Sequence, residues 1–298
     1  MKVGNGNLAR PTAIIVLVIA ATLFASNHIA ARFAFHHDTG LILAVLARSA
    51  MALFLMVMLA IVYKSTFRIP KPLRKWQLLL GLLITLQSIC LYSAITRIPI
   101  AMALLLVNTW PMIFILSSWA LKKSQPSLTT FCVLIGILGG LFLVLDLPED
   151  QNMDWTWLSG VLLAELSAFL IAGAMWLSQY QLVNVSGSVR SAYTMLFVVI
   201  TCLAIAASDV YSEGLQLPSS STGWAGLVSL ALLYGTASTM LFVLAPKLDM
   251  AKNSPVLNAE PVASLVLAYL LLGQTLTGLQ LVGGAIVVCG IIAVGIIK

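Results

Sequence analysis

The feature of this sequence that most constrains its fold is a succession of uninterrupted apolar runs. Several of them exceed the roughly 20 residues that an α-helix needs to cross a hydrocarbon layer about 30 Å thick. The chain is 60% hydrophobic and 9% charged, whereas soluble proteins carry about 25% charged residues. Most of the surface therefore cannot face water, and the sequence predicts an all-α integral membrane protein.

Ten of these runs are predicted to be transmembrane helices. The first, residues 12–34, is longer than the apolar core of about 7–15 residues in a signal peptide, so we expect it to remain as a membrane span. The predicted spans are 12–34, 41–63, 76–95, 98–121, 129–146, 158–180, 190–208, 224–245, 252–272 and 279–297. An even number of spans places both termini on one side of the membrane.

The charged residues of the linkers indicate which side that is. With cytoplasmic termini, all 16 basic residues lie inside except Arg32 and Arg97, in outside loops, and Arg48, in the second span. The acidic residues of the loops then fall outside, namely Asp38, Asp146, Glu149, Asp150, Asp154, Asp209 and Glu213. Because Lys and Arg resist translocation, this bias predicts cytoplasmic termini. The net charge of +6 thus reflects orientation, and we expect no nucleic acid partner.

Motifs for metal, nucleotide or hydrolytic chemistry are missing from the sequence. The four cysteines lie in apolar runs at spacings that suit neither a metal site nor a disulfide framework. The chain has no P-loop, no H-E-x-x-H motif and no acidic cluster within its spans. We therefore expect no cofactor, no metal and no enzymatic activity. A membrane enzyme acting on lipid-linked substrates remains the alternative from another functional class.

An internal repeat relates the two halves of the chain. Residues 91–111 align without gaps on residues 241–261, so that Asn108 meets Asn258 and Pro111 meets Pro261. Each half, 1–147 and 148–298, then holds five spans, and an odd number inserts the two halves in opposite senses. Such inverted repeats are typical of secondary transporters that alternate access to a site near the membrane midplane.

Several segments, in this order, carry a resemblance to a known family. They are Leu23-Phe-Ala-Ser-Asn-His28, Leu46-Ala-Arg-Ser49, Asn108-Thr-Trp-Pro111, the stretch from Asn258 to Gly273 and the pair Gly283-Gly284. With ten spans and a repeat, the chain resembles the EamA family of the drug/metabolite transporter superfamily, which are ten-helix bacterial transporters.

The resemblance implies two five-helix bundles around a central cavity formed by spans one, three, four, six, eight and nine. It also implies secondary transport of metabolites, commonly efflux of amino acids or related compounds, across the bacterial cytoplasmic membrane. The chain departs from many relatives at Trp110 and Gln274, where those relatives carry Glu. The first departure falls in span four and could alter the cavity.

Ionisable residues within the spans are the first candidates for transport, because burying them in a membrane costs a few kcal/mol. Glu260 could bind a substrate amine or a coupling proton, or its carboxyl could bond backbone loosened by Pro261. Glu165 in span six could recognise a charged group of the substrate, or pair with Arg48 of span two. For Arg48 we favour the structural role.

Other polar and aromatic residues within the spans could line a cavity or fasten helices together. His28 could titrate or bond a neighbouring helix, and Asn27, Asn108 and Asn258 have the same two alternatives. An amphipathic cavity lining could come from Gln87, Tyr92, Trp110, Trp176 and Tyr234. Pro111 and Pro261 are expected to bend their helices. Six glycines of spans five and ten are expected to permit close helix packing, namely Gly136, Gly139, Gly140, Gly283, Gly284 and Gly290.

Taken together, these features predict a secondary active exporter of a small metabolite, working by alternating access. An importer of such a compound is the nearest alternative, since alternating access operates in either direction. The expected partners are a small-molecule substrate, a coupling proton and membrane lipids, with the protein acting as a monomer or a homodimer.

Overall fold

A computed structural model describes residues 8–95, 97–98, 100–123, 125, 127–145, 154–208, 212–272 and 276–296. Six residues named above for orientation or family comparison lie outside these ranges, namely Asp146, Glu149, Asp150, Asp209, Gly273 and Gln274. The described residues form α-helices joined by short turns. The helices are α1 (Arg10–Phe35), α2 (Leu41–Val62), α3 (Arg74–Ile95), α4 (Ile100–Val107), α5 (Trp110–Ala120), α6 (Leu128–Leu145), α7 (Trp155–Trp176), α8 (Gly187–Ala207), α9 (Ser221–Leu244), α10 (Met250–Asn253), α11 (Ala259–Leu272) and α12 (Gly278–Ile296).

These helices supply the ten predicted spans. Within the described residues, 8 helical stretches are long and apolar enough to cross a membrane, and α6 and α12 are shorter apolar helices. The fourth span is α4 followed by α5, and the ninth is α10, a 3-10 turn over Ser254–Asn258, and α11. Each half of the chain contributes five spans, so the second repeat enters the membrane from the side opposite to the first. The predicted all-α fold of two inverted five-helix repeats is confirmed.

The helices expose large apolar side chains, as expected of surfaces that contact lipid. Phe142 of α6, Phe169 of α7 and Leu270 of α11 are all more than half exposed. In water such exposure would leave extensive apolar surface uncovered. In a bilayer the same side chains contact acyl chains, which is consistent with the low charge of the sequence.

The chain divides into two compact units, and each draws on both halves of the sequence. The first unit consists of Met1–Ala21, Leu86–Trp176 and Lys247–Lys298. The second consists of Thr22–Thr85 and Leu177–Pro246. The unit boundaries therefore differ from the division at residue 147, which describes the repeat in the sequence.

In the first unit, α6 packs against α12, the equivalent helices of the two repeats, and three glycines permit the close approach. A Cβ atom added at Gly140 would lie 2.9 Å from the carbonyl oxygen of Gly283, and one at Gly283 would lie 2.5 Å from that of Gly140. A Cβ at Gly290 would meet Ile137 at 2.5 Å. The other three predicted packing glycines behave differently: Gly136 and Gly139 face open space, and the nearest atom to a Cβ at Gly284 is 3.9 Å away.

In the same unit, α7 packs against α4 and α5. A buried apolar cluster joins the end of α3 to α4 and α7, and consists of Leu91, Ala94, Ile98, Met102, Ala103, Val107 and Ala164. Because Ala164 precedes Glu165, this cluster holds the Glu165 segment of α7 beside α4.

The second unit is built around α2, which packs against α8 and α9. Spans two and seven are also repeat equivalents, so each unit contains at least one pair of equivalent helices in contact. Glycines of α9 permit close packing here too, because a Cβ at Gly226 would lie 2.7 Å from the Ala34 nitrogen and one at Gly235 would lie 3.3 Å from the Ala52 nitrogen.

Candidate functional site

The fourth span is interrupted in its middle, at Asn108 and Thr109, between α4 and α5. Pro111 has no N–H to donate to the carbonyl of Val107, so the α-helical ladder cannot continue. Two side chains of the break donate to carbonyls in the last turn of α4. Asn108 Nδ2 donates to the carbonyl of Leu104 at 2.7 Å, and Thr109 Oγ1 donates to that of Leu106 at 2.7 Å. The proline that was expected to bend this helix thus stands directly after a break in it.

The ninth span is interrupted at the equivalent position. Its 3-10 turn ends at Asn258, and α11 begins at Ala259 with Glu260 in its first turn. Asn258 is 2% exposed, and its Oδ1 has no hydrogen-bond partner among the described residues. Glu260 is partly buried. The repeat that aligns Asn108 with Asn258 in the sequence therefore aligns two helix breaks in the structure.

The two interrupted spans lie in the same compact unit and pack against each other. The α5 helix contacts α10 and the 3-10 turn of the ninth span, and α11 contacts α4. Broken helices at corresponding positions of two inverted repeats are a known location of substrate and ion sites, because the half-helix ends present unpaired backbone groups. The paired breaks are therefore the candidate site.

Glu165 brings a carboxyl group to the break in span four. It lies on α7 and is partly buried. Thr109 Oγ1 lies 3.2 Å from its Oε1 and 3.5 Å from its Oε2, within hydrogen-bond distance of both. Trp110 occupies the position equivalent to Glu260, so span four itself has no carboxyl there. Each break thus has one carboxyl beside it, from α11 in one case and from α7 in the other.

The remaining candidates in the first unit have mostly internal partners. Gln87 is buried, and its Nε2 donates to Ser167 Oγ at 3.1 Å, which ties α3 to α7. Trp110 is 4% exposed and stacks edge-on against Phe114, with ring centroids 6.4 Å apart. Tyr92 is buried and Trp176 is partly buried.

The second unit holds the other four candidates. The guanidinium of Arg48 lies over the ring of Tyr234, 4.3 Å from its centroid, and that ring also meets Phe24 edge-on at 5.9 Å. Asn27 is 1% exposed, and its Oδ1 has no hydrogen-bond partner among the described residues. His28 is partly buried. Arg48 and Glu165 belong to different units, and their pairing stays a prediction.

Sequence reasoning missed the role of Arg190, which it counted only as a charge that indicates orientation. The side chain is 0% exposed and donates to the main-chain oxygens of Ser178, Leu182 and Phe242. These oxygens lie beyond the end of α7 and in the last turn of α9, so Arg190 caps two helix ends. A sequence signal was available, because the tripeptide Arg-Ser-Ala occurs at 48–50 in span two and again at 190–192 in span seven.

Among the described residues, no group of three or more His, Cys, Asp or Glu side chains could hold a metal ion. Cys90 and Cys202 are buried, and Cys132 and Cys289 are exposed, all as free thiols. The side chains at the breaks carry carboxyl, amide, hydroxyl and aromatic groups, which suit binding and proton exchange.

Comparison with known proteins places the chain in a family. The model of the EamA-like transporter family matches residues 11–146 and 158–296, which correspond to the two repeats. A solved crystal structure superposes with a TM-score of 0.80 over 96% of this chain and 96% of that one, at 17% sequence identity, which supports the fold. No curated protein matches the chain. The two matched segments cover nearly the whole sequence, and the chain belongs to the EamA-like transporter family of membrane transporters.

Proposed function

We propose that this protein is a secondary active exporter of small polar or amphipathic metabolites, such as amino acids or related compounds. It would work by alternating access in a bacterial cytoplasmic membrane, with both termini in the cytoplasm. The observation that carries the proposal is the pair of helix breaks in spans four and nine, each with a carboxyl group beside it. Membership of the family supports transport, whereas the substrate class and the direction of transport are what we propose.

The two carboxyl groups give the site its proposed chemistry. An ionisable side chain within a membrane span is costly unless it meets protein groups or water, so it is retained where transport uses it. Glu260 and Glu165 are assigned to bind the substrate amine and the coupling proton. One carboxyl per break also matches the inverted symmetry, since each break would face one compartment in turn.

The other candidates of the first unit complete the proposed site. Trp110, Tyr92 and Trp176 supply ring surface for apolar parts of a metabolite, whereas Gln87 supplies polar groups for orientation. The amides Asn108 and Asn258 are assigned as donors and acceptors close to the substrate. In the second unit, Tyr234, His28 and Asn27 stay predicted substrate-binding residues. Arg48, Pro111 and Pro261 keep structural roles. The working unit is a monomer or a homodimer in contact with lipid.

Reconstitution into liposomes tests this function. Vesicles with and without the protein are compared for transport of a panel of labelled amino acids and related metabolites, with a pH gradient in either direction and with none. We expect protein-dependent transport of at least one amine-containing compound, accelerated by a proton gradient opposed to its movement. Equal fluxes with and without protein for every compound would contradict the proposal.

Variants of Glu165 and Glu260 test whether the two helix breaks take part in that transport. Glu165→Gln and Glu260→Gln are expected to lower the proton-driven rate at least tenfold. Asp154→Asn is the matched control, because Asp154 is exposed and only caps α7 by accepting from the Trp157 amide, and Asn can do the same. Unchanged rate and pH dependence in both Glu variants would remove the breaks from the mechanism.

A further inference from the structure

The Thr109 hydroxyl stands between two acceptors and can satisfy only one of them. Its oxygen lies 2.7 Å from the carbonyl of Leu106 and 3.2 Å from Oε1 of Glu165. A hydroxyl has one hydrogen to donate and two lone pairs with which to accept. Its bonding must therefore depend on whether the Glu165 carboxyl carries a proton.

The two protonation states of Glu165 give two hydrogen-bond arrangements. An ionised carboxyl only accepts, and its charge makes it the stronger acceptor, so the Thr109 hydrogen turns to it and leaves Leu106. A protonated carboxyl can donate to Thr109 Oγ1, which frees the hydroxyl hydrogen for Leu106. In the structure the contact to Leu106 is the shorter of the two. The hydroxyl keeps its own hydrogen throughout, and the proton enters and leaves at Glu165 alone.

Leu106 lies in the last turn of α4, where loss of a hydrogen bond matters. The turn is already weakened because Pro111 offers no N–H to the Val107 carbonyl. Leu106 otherwise accepts from the Thr109 amide at 3.1 Å. We propose that Thr109 is a positioning residue that transmits the protonation state of Glu165 to the helix break in span four. The proposal deepens the proposed function, because that break is part of the transport site.

Within this unit, the titratable and charged groups around Glu165 lie at the end of α3, just after it and on α11. The helices packed against α7 in this unit, α4 and α5, have no titratable side chain. The end of α3, tied to α7 through Gln87 and Ser167, brings Cys90 and Tyr92, and the Cβ of Arg97 lies beside Gly160 at the start of α7. Glu260 and Tyr269 lie on α11, which contacts α4. An experiment on the Glu165 carboxyl must therefore distinguish its signal from that of the Glu260 carboxyl.

Infrared difference spectroscopy of the protein in liposomes tests the proposal without any substrate. Spectra recorded across a pH series report the C=O band of a protonated carboxyl. We expect a band that persists in Glu260→Gln and disappears in Glu165→Gln. It should shift to higher frequency in Thr109→Val, which keeps the side-chain shape but removes the hydroxyl, and stay in place in Thr109→Ser. If Thr109→Val does not fold, Thr109→Ala serves the same purpose.

Hydrogen exchange provides the second readout. Amide protection over residues 104–112, corrected for the intrinsic effect of pH, should fall in the wild type as the carboxyl band disappears, and should lose this pH dependence in Thr109→Val. A band that survives Glu165→Gln, or one that stays in place in Thr109→Val, would overturn the proposal. Because no substrate is present, these spectra can support the switch even if the transport assays refute the proposed function.

Discussion

Arg190 donates a hydrogen bond to the main-chain oxygen of Phe242 over 2.5 Å, so a buried charge on α8 holds the last turn of α9. The same guanidinium donates to Leu182 at 3.2 Å and to Ser178 at 3.4 Å. The planar guanidinium group suits this arrangement, because its N–H donors point in several fixed directions. The carbonyl oxygens at helix ends also carry partial negative charge, which stabilises a cation there.

Replacing Arg190 by Met should destabilise the protein strongly. Hydrogen bonds that involve a charged group contribute about 1.5–3 kcal/mol each, and Met leaves the buried carbonyl oxygens without their donor. We expect a large fall in the temperature at which half of the detergent-solubilised protein is lost from the monodisperse peak. The melting temperature of Arg190→Lys should lie between those of the wild type and Arg190→Met, since an ammonium group cannot reach all three carbonyls.

Arg68→Met is the matched control for that experiment, because Arg68 is exposed and its loss changes the net charge equally. It should leave the melting temperature near that of the wild type. An Arg190→Met protein as stable as Arg68→Met would show that the capping bonds contribute nothing to stability.

Two adjacent glycines of α12 should respond oppositely to the same substitution. In Gly283→Ala the new Cβ would lie 2.5 Å from the Gly140 oxygen and 2.7 Å from the Val144 nitrogen, so the backbones must separate. Overpacking of this kind costs about 1–3 kcal/mol. In Gly284→Ala the nearest atom is 3.9 Å away, and alanine's helix propensity should leave stability equal or slightly higher. Thermal melts in detergent measure both, and equal melting temperatures would contradict the packing of α6 on α12.

Gln87 and Ser167 should behave as one interacting pair. Gln87 Nε2 donates to Ser167 Oγ. Ser167 Oγ in turn donates to the main-chain carbonyl oxygen of Gln87 at 3.3 Å. A double-mutant cycle with Gln87→Leu and Ser167→Ala should therefore give a coupling free energy of about 0.6–1.7 kcal/mol, as found for bonds between membrane helices. Unfolding in mixed micelles measures it. Strictly additive effects would mean that the bond is absent in the membrane.

Tyr234 should tolerate loss of its hydroxyl but not of its ring. Arg48 lies over the ring face at 4.3 Å, and a cation over an aromatic ring contributes about 0.5–2 kcal/mol depending on its exposure. Tyr234→Phe keeps that face, whereas Tyr234→Leu removes it. We expect a wild-type melting temperature for the first variant and a lowered one for the second. If Phe and Leu lower it equally, the tyrosine hydroxyl and not the ring provides the stability.

The spans could be predicted from the sequence because membrane insertion depends mainly on the length and polarity of a local segment. Runs such as 41–63 and 224–245 predicted α2 and α9 to within a few residues. The helix breaks were only partly predictable. Pro111 and Pro261 indicated bends, but whether a helix bends or stops depends on which neighbouring groups bond the freed carbonyls.

Contacts between distant parts of the chain were the least predictable. Nothing local in the sequence indicates that Thr109 meets Glu165, since that depends on how α7 is rotated against α4 and α5. The same limit applies to the glycines of α6. Gly139 and Gly140 are neighbours in sequence, yet only Gly140 faces α12, because adjacent residues of a helix point in directions about 100° apart.

The pairing of α6 with α12 also has a consequence for biosynthesis. The second compact unit has all of its helices once the ribosome has passed residue 246, but the first waits for Lys247–Lys298. Until α12 has left the translocon, Gly140 of α6 has no helix packed against it, and the first unit stays incomplete. The N-terminal half alone completes neither unit. If the two halves are expressed as separate chains, we therefore expect folding only when both are present in one bilayer.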